Sequence, residues 1–186
     1  MKRLLIPMWI LLLICLCNES FAQETTKVKD DMGKMKKKGM SMDNISYPYT
    51  ANYSSDFVIG KPEQAKMILD LWKDWDDNLL DRHDYMSDTL VMYFSDGSMM
   101  KGKDSCLAAA KRFRGSLTSA TSSLDAWIPL RSVDRNQDWV ALWGSETDVL
   151  PDGKTSKRDV QEIWQINKDG KVVFMKQFAS ISAPQQ

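Results

Sequence analysis

An aspartate and the chain's one histidine have the residue types and the spacing of an acid/base pair. His83 follows Asp76 by seven positions, so on a continuous helix both side chains project from nearly the same face. Burial beside apolar side chains would raise the pKa of the carboxyl, which suits a general base near neutral pH. Tyr93 is a third catalytic candidate, as a helper. The plain alternatives are that Asp76 faces water beside Asp77 and that His83 ends the helix.

Aromatic side chains suggest the wall of a pocket. The residues predicted to line it are Trp72, Trp127, Trp143, Glu162 and Trp164. Along the strand that holds Glu162 and Trp164, Arg158 shares their face because side chains alternate. Charged and aromatic residues on one face are typical either of the solvated end of a sheet or of a pocket with a polar floor.

Other common chemistries lack their residues. One histidine, with Cys106 as the one thiol expected after export, is too little for a zinc centre. The sequence contains no nucleophile elbow, phosphate-binding loop or dinucleotide fingerprint. Its 25 basic and 25 acidic residues give zero formal charge, so no overall field attracts nucleic acid. We therefore predict no cofactor, no metal and no nucleic-acid partner.

The first helix is predicted to begin at Pro62 and to end near Arg82 or His83. Proline suits the first helical turn because its fixed φ and missing N–H cost nothing there. Apolar residues recur at helical spacing and form one stripe: Ala65, Ile68, Leu69, Trp72, Trp75, Leu79 and Leu80. Four aspartates are expected on the other, solvated side: Asp70, Asp74, Asp77 and Asp81.

A short hairpin and a second helix are predicted next. The hairpin consists of Thr89–Phe94, a turn at Asp96-Gly97 and Met99–Lys101. The helix begins after Gly102 and is capped by Gly115. Cys106 is interpreted as a small core residue of this helix. The basic residues are assigned to its solvent face: Lys111, Arg112 and Arg114.

The last third of the chain is predicted to form four antiparallel strands. These are Leu124–Val133, Asp138–Val149, Thr155–Asn167 and Lys171–Ala179. Asp-Gly pairs at Asp152-Gly153 and Asp169-Gly170 tolerate the positive φ that tight hairpin turns need. Because helices precede most of the strands, the fold class is α+β. The sheet must curl around the first helix to bury the tryptophans.

From about residue 60 to residue 180 the chain resembles the nuclear-transport-factor-2-like (NTF2-like) superfamily, in its SnoaL-like branch. The resemblance is carried by the tryptophan-rich first helix, the Asp96-Gly97 turn, the Gly102-x-Asp104 entry to the second helix, and the run from Glu162 to Val172. It implies a curved, mostly antiparallel sheet wrapped around helices as a cone with an open-ended pocket. Superfamily members include isomerases, cyclases, dehydratases, hydrolases and non-catalytic binding modules, so the fold does not choose a function.

The first 22 residues have the pattern of a signal peptide. Lys2 and Arg3 precede a short apolar run, and Ser20-Phe21-Ala22 is a cleavage site. We expect a periplasmic or secreted protein that is not held at a membrane after cleavage, and N-terminal sequencing should find Gln23 first. Acylation at Cys15 or Cys17 is an alternative, although the residues before each are bulky. Residues 23–55 are predicted to be a disordered Lys/Met-rich leader and residues 56–182 a single domain.

Three functions fit these observations. The first is binding of a small apolar or amphipathic ligand, or of a partner chain, because aromatic residues are plentiful and no catalytic constellation is evident. The second is an isomerase, cyclase or dehydratase that uses Asp76 as base with His83 or Tyr93 as helper. The third is a structural module that forms a homodimer through its sheet.

Overall fold

In the computed structural model, the described residues are 46–180. The predicted signal peptide and most of the predicted leader lie outside them. The chain divides into two units, Met1–Tyr49 and Thr50–Gln186, and all helices and strands given below belong to the second.

Two helices and seven strands occur within the described residues. Helix α1 spans Pro62–Asp77 and helix α2 spans Lys103–Gly115. The strands are β1 (Phe57–Ile59), β2 (Met86–Tyr93), β3 (Met99–Lys101), β4 (Ser119–Ser132), β5 (Gln137–Val149), β6 (Thr155–Ile166) and β7 (Val172–Ala179). Neither helix is long and apolar enough to cross a membrane.

The seven strands form one sheet in the order β1-β4-β5-β6-β7-β2-β3. Every neighbouring pair is antiparallel except β2 and β7, which run parallel. The sheet is curved and does not close, and both helices pack against it. The predicted α+β cone is confirmed. The core lies between α1 and the inward residues of the central strands, including Ile68, Leu90, Leu142, Trp164 and Met175.

Helix α1 ends at Asp77, earlier than predicted. Asn78 adopts the left-handed conformation (φ 57°), and its backbone N–H donates to the carbonyl of Trp75. Asparagine tolerates this conformation and so terminates helices. His83 is therefore not on the helix, and the seven-residue spacing from Asp76 no longer places the two side chains on one face.

Arg114 fixes the C-terminal end of α1 from the neighbouring helix. Its guanidinium donates to the backbone carbonyls of Trp75 at 2.7 Å and Asp76 at 2.9 Å. Carbonyls in the last turn of a helix have no partner within the helix, and a cation there also suits the helix dipole. Arg114 is only 4% exposed, so its assignment to a solvent face was wrong. Gly115 is the last helical residue, and Ser116 is the C-cap.

The strands differ most from the prediction at β1, β2 and β4, and β2 begins at Met86 rather than Thr89. Phe57–Ile59 forms an edge strand that was not predicted, and it pairs with Leu130–Ser132 of β4. Strand β4 begins at Ser119 rather than Leu124, and its register with β5 shifts between Leu124 and Ala126. Such bulges sharpen the bend of a strand.

Gly144 of β5 pairs with Leu124 at this bulge. A Cβ at residue 144 would lie 2.4 Å from the carbonyl oxygen of Ser123, which is backbone and cannot easily move. We predict that Gly144→Ala lowers the free energy of unfolding by about 1–3 kcal/mol, as overpacking does. Urea denaturation measures the change.

Gly115→Ala is the matched control, because a Cβ there would meet no atom within 4 Å. It should leave stability unchanged or raise it by up to about 1 kcal/mol. Equal stabilities of the two variants would contradict the close approach of β5 to β4.

Candidate functional site

A cavity of about 480 Å³, here called the inner cavity, lies between the two helices and the sheet. Its apolar lining includes Leu71, Met92, Met100, Cys106, Ala110 and Phe113. Its polar lining includes Asp74, Asp96, Glu146, Arg158, Glu162 and Gln177. Cavities that bind small molecules have this size range and this mixture of apolar walls with a few polar groups.

Glu162 is the most deeply buried polar group of this lining that comes from the sheet. It points inward from β6 because it alternates with Gln161 and Ile163, and it is 5% exposed. Its Oε2 accepts hydrogen bonds from the indole N–H groups of Trp72 at 2.7 Å and Trp164 at 3.0 Å. Its Oε1 accepts one from the side-chain amide of Gln177 at 2.9 Å. Burial raises the pKa of Glu162, although these hydrogen bonds oppose the shift.

A second glutamate, Glu146 on β5, lines the cavity beside an arginine. Glu146 Oε1 accepts a hydrogen bond from the indole of Trp75 at 2.7 Å, and Oε2 accepts one from Arg158 at 3.0 Å. Asp148 lies 3.8 Å from the same guanidinium. Burial and the neighbouring charge of Glu146 raise the pKa of Asp148 to about 6. Two carboxyl groups therefore share one cation at this end of the site.

Helix α1 positions both glutamates through one pair of residues. Trp72 and Trp75 are three positions apart and so project from the same helix face. One indole reaches Glu162 on β6 and the other reaches Glu146 on β5. The two hydrogen bonds thus join the helix to adjacent strands of the sheet and hold the cavity wall in place.

Five residues were predicted to line a pocket, and they fall in two groups. Trp72, Glu162 and Trp164 line the inner cavity. Trp127 and Trp143 do not, and they are 50% and 38% exposed. Trp143 instead borders a shallow outer groove together with Phe178, because alternation along β5 points it away from the helices.

The predicted acid/base residues are not brought together. The Asp76 carboxylate accepts hydrogen bonds from the hydroxyl of Ser122 at 2.8 Å and from its backbone N–H at 3.2 Å. His83 Nδ1 lies 2.7 Å from Asp74 Oδ2, so its partner is Asp74 and not Asp76. None of Asp76, His83 and Tyr93 lines the inner cavity. The early end of α1 is the physical reason for the separation of Asp76 from His83.

Tyr93 lies at the surface and is 38% exposed. Its ring packs on Phe174, with the ring centroids 5.8 Å apart. It contacts neither Asp76 nor His83 through a hydrogen bond or a ring contact within residues 46–180.

Sequence reasoning missed Asp74 and Glu146 as residues of the cavity, whereas Arg158 had been placed on the face of Glu162 with a pocket as one of two interpretations. Asp74 was assigned to the solvated side of α1, yet it is fully buried and paired with Arg82 at 3.1 Å and with His83. Glu146 and Arg158 lie on strand segments that resemble the solvated end of a sheet. Glu146 and Arg158 lie opposite each other in the β5–β6 register. The predicted hairpin turn between these strands is the sequence signal that could have placed the two residues together.

Across residues 46–180, no group of three or more His, Cys, Asp or Glu side chains is arranged to hold a metal ion. The carboxylates of the cavity are instead engaged by indole, amide and guanidinium donors. The chemistry this arrangement offers is hydrogen bonding, ion pairing and proton transfer by carboxyl groups.

Comparisons with known proteins identify the fold but no closer relative. No protein-family model matches the sequence, and no curated protein matches it. The structure is similar to that of an NTF2-like protein of unknown function from Exiguobacterium sp. 255-15, with 17% identity and a TM-score of 0.50 over 64% of this chain and 99% of that one.

Two further solved structures are similar. One is a SnoaL-like polyketide cyclase (so described provisionally) from Shewanella denitrificans OS-217, with 12% identity and a TM-score of 0.52 over 64% of this chain and 92% of that one. The other is a hypothetical protein with a ketosteroid isomerase-like fold from Catenulispora acidiphila in complex with trimethylamine. It has 11% identity and a TM-score of 0.51 over 66% of this chain and 89% of that one. At these identities the likeness shows the fold alone.

Asp148 should make the stability of the protein depend on pH. Its pKa in the folded protein, about 6, lies above its ordinary value of 3.8, so the folded state holds the proton more tightly. The stability that this proton contributes is complete below pH 3.8 and is lost as the pH rises through about 6. Asp148→Asn mimics the protonated form and should gain stability relative to the wild type as the pH rises from about 4 to about 7. Urea denaturation across this range measures the difference.

Asp152→Asn is the control, because Lys154 holds the pKa of that exposed carboxyl below its ordinary value. From about pH 5 to about pH 7 its difference from the wild type should stay constant, because that carboxyl is ionised in both the folded and the unfolded state there. A constant difference for Asp148→Asn as well would show that Asp148 does not titrate there.

Proposed function

We propose that this NTF2-like cone domain binds a small, largely apolar molecule in the inner cavity. The observation that carries the proposal is a space of about 480 Å³ whose lining is mostly apolar and holds a few buried polar groups. A ligand that fills it would remove apolar surface from water on both sides, which is the main source of affinity for such sites. The carboxyl groups and Arg158 would fix its orientation.

The cavity is suited to binding because its wall is held before a ligand arrives. The indoles of Trp72 and Trp75 are fixed by hydrogen bonds to Glu162 and Glu146, so they lose little conformational freedom when a ligand packs on them. Methionines at other points of the lining, such as Met92 and Met100, adapt their shape at low cost.

An isomerase, cyclase or dehydratase is a second candidate, and it is favoured by one observation. Glu162 is a buried carboxyl group with a raised pKa, and it lines the cavity. Such groups serve as proton donors or acceptors in enzymes. In this proposal Glu162 would transfer the proton in place of Asp76. Export after Ala22 and formation of a homodimer stay predictions.

Filling the cavity tests the main proposal. Ala110 lines the inner cavity from α2, and replacement by phenylalanine would occupy part of its volume. The neutral apolar dye N-phenyl-1-naphthylamine fluoresces more strongly when it leaves water. We expect the wild type to bind this dye, and Ala110→Phe to weaken binding about tenfold or more, since ~1.4 kcal/mol is enough.

Ala108→Phe is the matched control, because Ala108 lies on the exposed side of the same helix and outside the lining. It should bind the dye like the wild type. Failure of the wild type to bind the dye, or equal loss in both variants, would count against a ligand site in this cavity.

A further inference from the structure

One buried carboxylate of the inner cavity, Glu162, has no cationic partner among residues 46–180. Asp74 is paired with Arg82 and His83, and Glu146 is paired with Arg158. Glu162 contacts only neutral donors: two indoles and an amide. The negative charge of Glu146 also raises the pKa of Glu162. A buried negative charge at Glu162 is thus solvated by hydrogen bonds but is not neutralised.

Glu162 also keeps room for one more hydrogen bond. A carboxylate accepts about four, two at each oxygen. Both positions of Oε2 are used by Trp72 and Trp164, whereas Oε1 has one contact, from Gln177. Glu162 and its three donors all line the inner cavity, so a bound molecule can reach this oxygen.

The surroundings of Glu162 favour a cation for a second reason. The rings of Trp72 and Trp164 lie beside it in the cavity wall, and tryptophan attracts cations to its face more strongly than other side chains do. The lining as a whole holds four carboxyl groups and one guanidinium: Asp74, Asp96, Glu146 and Glu162 against Arg158. Even without Asp74, which is paired with Arg82, the carboxyl groups of the lining outnumber its one guanidinium.

From these contacts we infer that the inner cavity selects apolar molecules that carry a protonated amine, whose N–H group forms an ion pair with Oε1 of Glu162. The inference rests on the proposed ligand site and names the class of ligand. Burial, together with the negative charge of Glu146, raises the pKa of Glu162, whose charge lacks a counter-ion that an ammonium group would supply. The apolar part of the ligand would lie toward Met92, Met100 and Phe113.

Three probes with one apolar body and different head groups test the inference. They are 4-phenylbutylamine, 4-phenylbutan-1-ol and 4-phenylbutanoate, which are cationic, neutral and anionic at pH 7. Each is titrated against the protein with bound N-phenyl-1-naphthylamine, and displacement gives its affinity. We expect the amine to bind about tenfold more tightly than the alcohol, since a charge-assisted hydrogen bond is worth at least ~1.4 kcal/mol. The carboxylate should bind most weakly.

Glu162→Gln should remove the preference for the amine over the alcohol, because the side chain keeps its shape and loses its charge. The control is Glu63→Gln, which makes the same change at an exposed residue of α1 outside the cavity lining and should keep the preference. The comparison of the three probes on the wild type needs no variant, so the test stands even if Glu162→Gln fails to fold.

The outcomes separate this inference from the proposed function. Equal affinities for amine and alcohol would overturn the inference and leave the ligand site intact. Tightest binding of the carboxylate would also overturn it and would assign recognition to Arg158. If the dye itself does not bind to the wild type, the proposed function fails, and the inference fails with it.

Discussion

The structure depends on two hydrogen bonds that join helix α1 to the sheet, from Trp72 to Glu162 and from Trp75 to Glu146. A glutamate carboxylate buried without donors costs several kcal/mol. A buried indole N–H without an acceptor costs about 1–3 kcal/mol. In each pair the indole N–H and the carboxylate satisfy each other, so neither is buried without a hydrogen-bond partner. Because the two tryptophans share a helix face while the glutamates lie on adjacent strands, the pair of bonds fixes both the position and the rotation of α1. The inner cavity is the space that this arrangement leaves open between α1, α2 and the sheet.

The end of α1 is fixed just as closely, and this determines which acidic residues are available. Asn78 terminates the helix, Arg114 binds its last carbonyls, and the chain then turns so that Arg82 and His83 return to Asp74. Asp74 thereby becomes a buried, neutralised carboxylate. Asp76, two residues on, is bound to Ser122 of β4. Glu162 is left as the buried carboxylate of the lining that has hydrogen bonds but no counter-ion.

The fold was largely predictable from the sequence, because local signals decide it. The Asp-Gly turns marked the hairpins between β5, β6 and β7, and β-branched and aromatic residues marked the strands. The apolar stripe marked α1. The site was much less predictable, because its contacts join residues 71 and 90 positions apart in the chain. A glutamate in a strand reads as solvated unless its distant donors are known, which is why Glu146 was missed. Glu162 was recognised only because it shares a face with Trp164. His83 was misplaced by a local error, since one asparagine in the left-handed conformation ended the helix early.

Hydrogen exchange of the tryptophan indole N–H groups tests the role of the two hydrogen bonds most directly. In a protein with ¹⁵N-labelled tryptophan, each indole gives its own signal, and its exchange with deuterated water can be followed by NMR. The indoles of Trp72, Trp75 and Trp164 should exchange at least about tenfold more slowly than those of Trp127 and Trp143, which are exposed and make no hydrogen bond within residues 46–180. If Trp72 and Trp75 exchange as fast as Trp127, these two bonds do not hold the helix to the sheet, and the account of the cavity that rests on them is wrong.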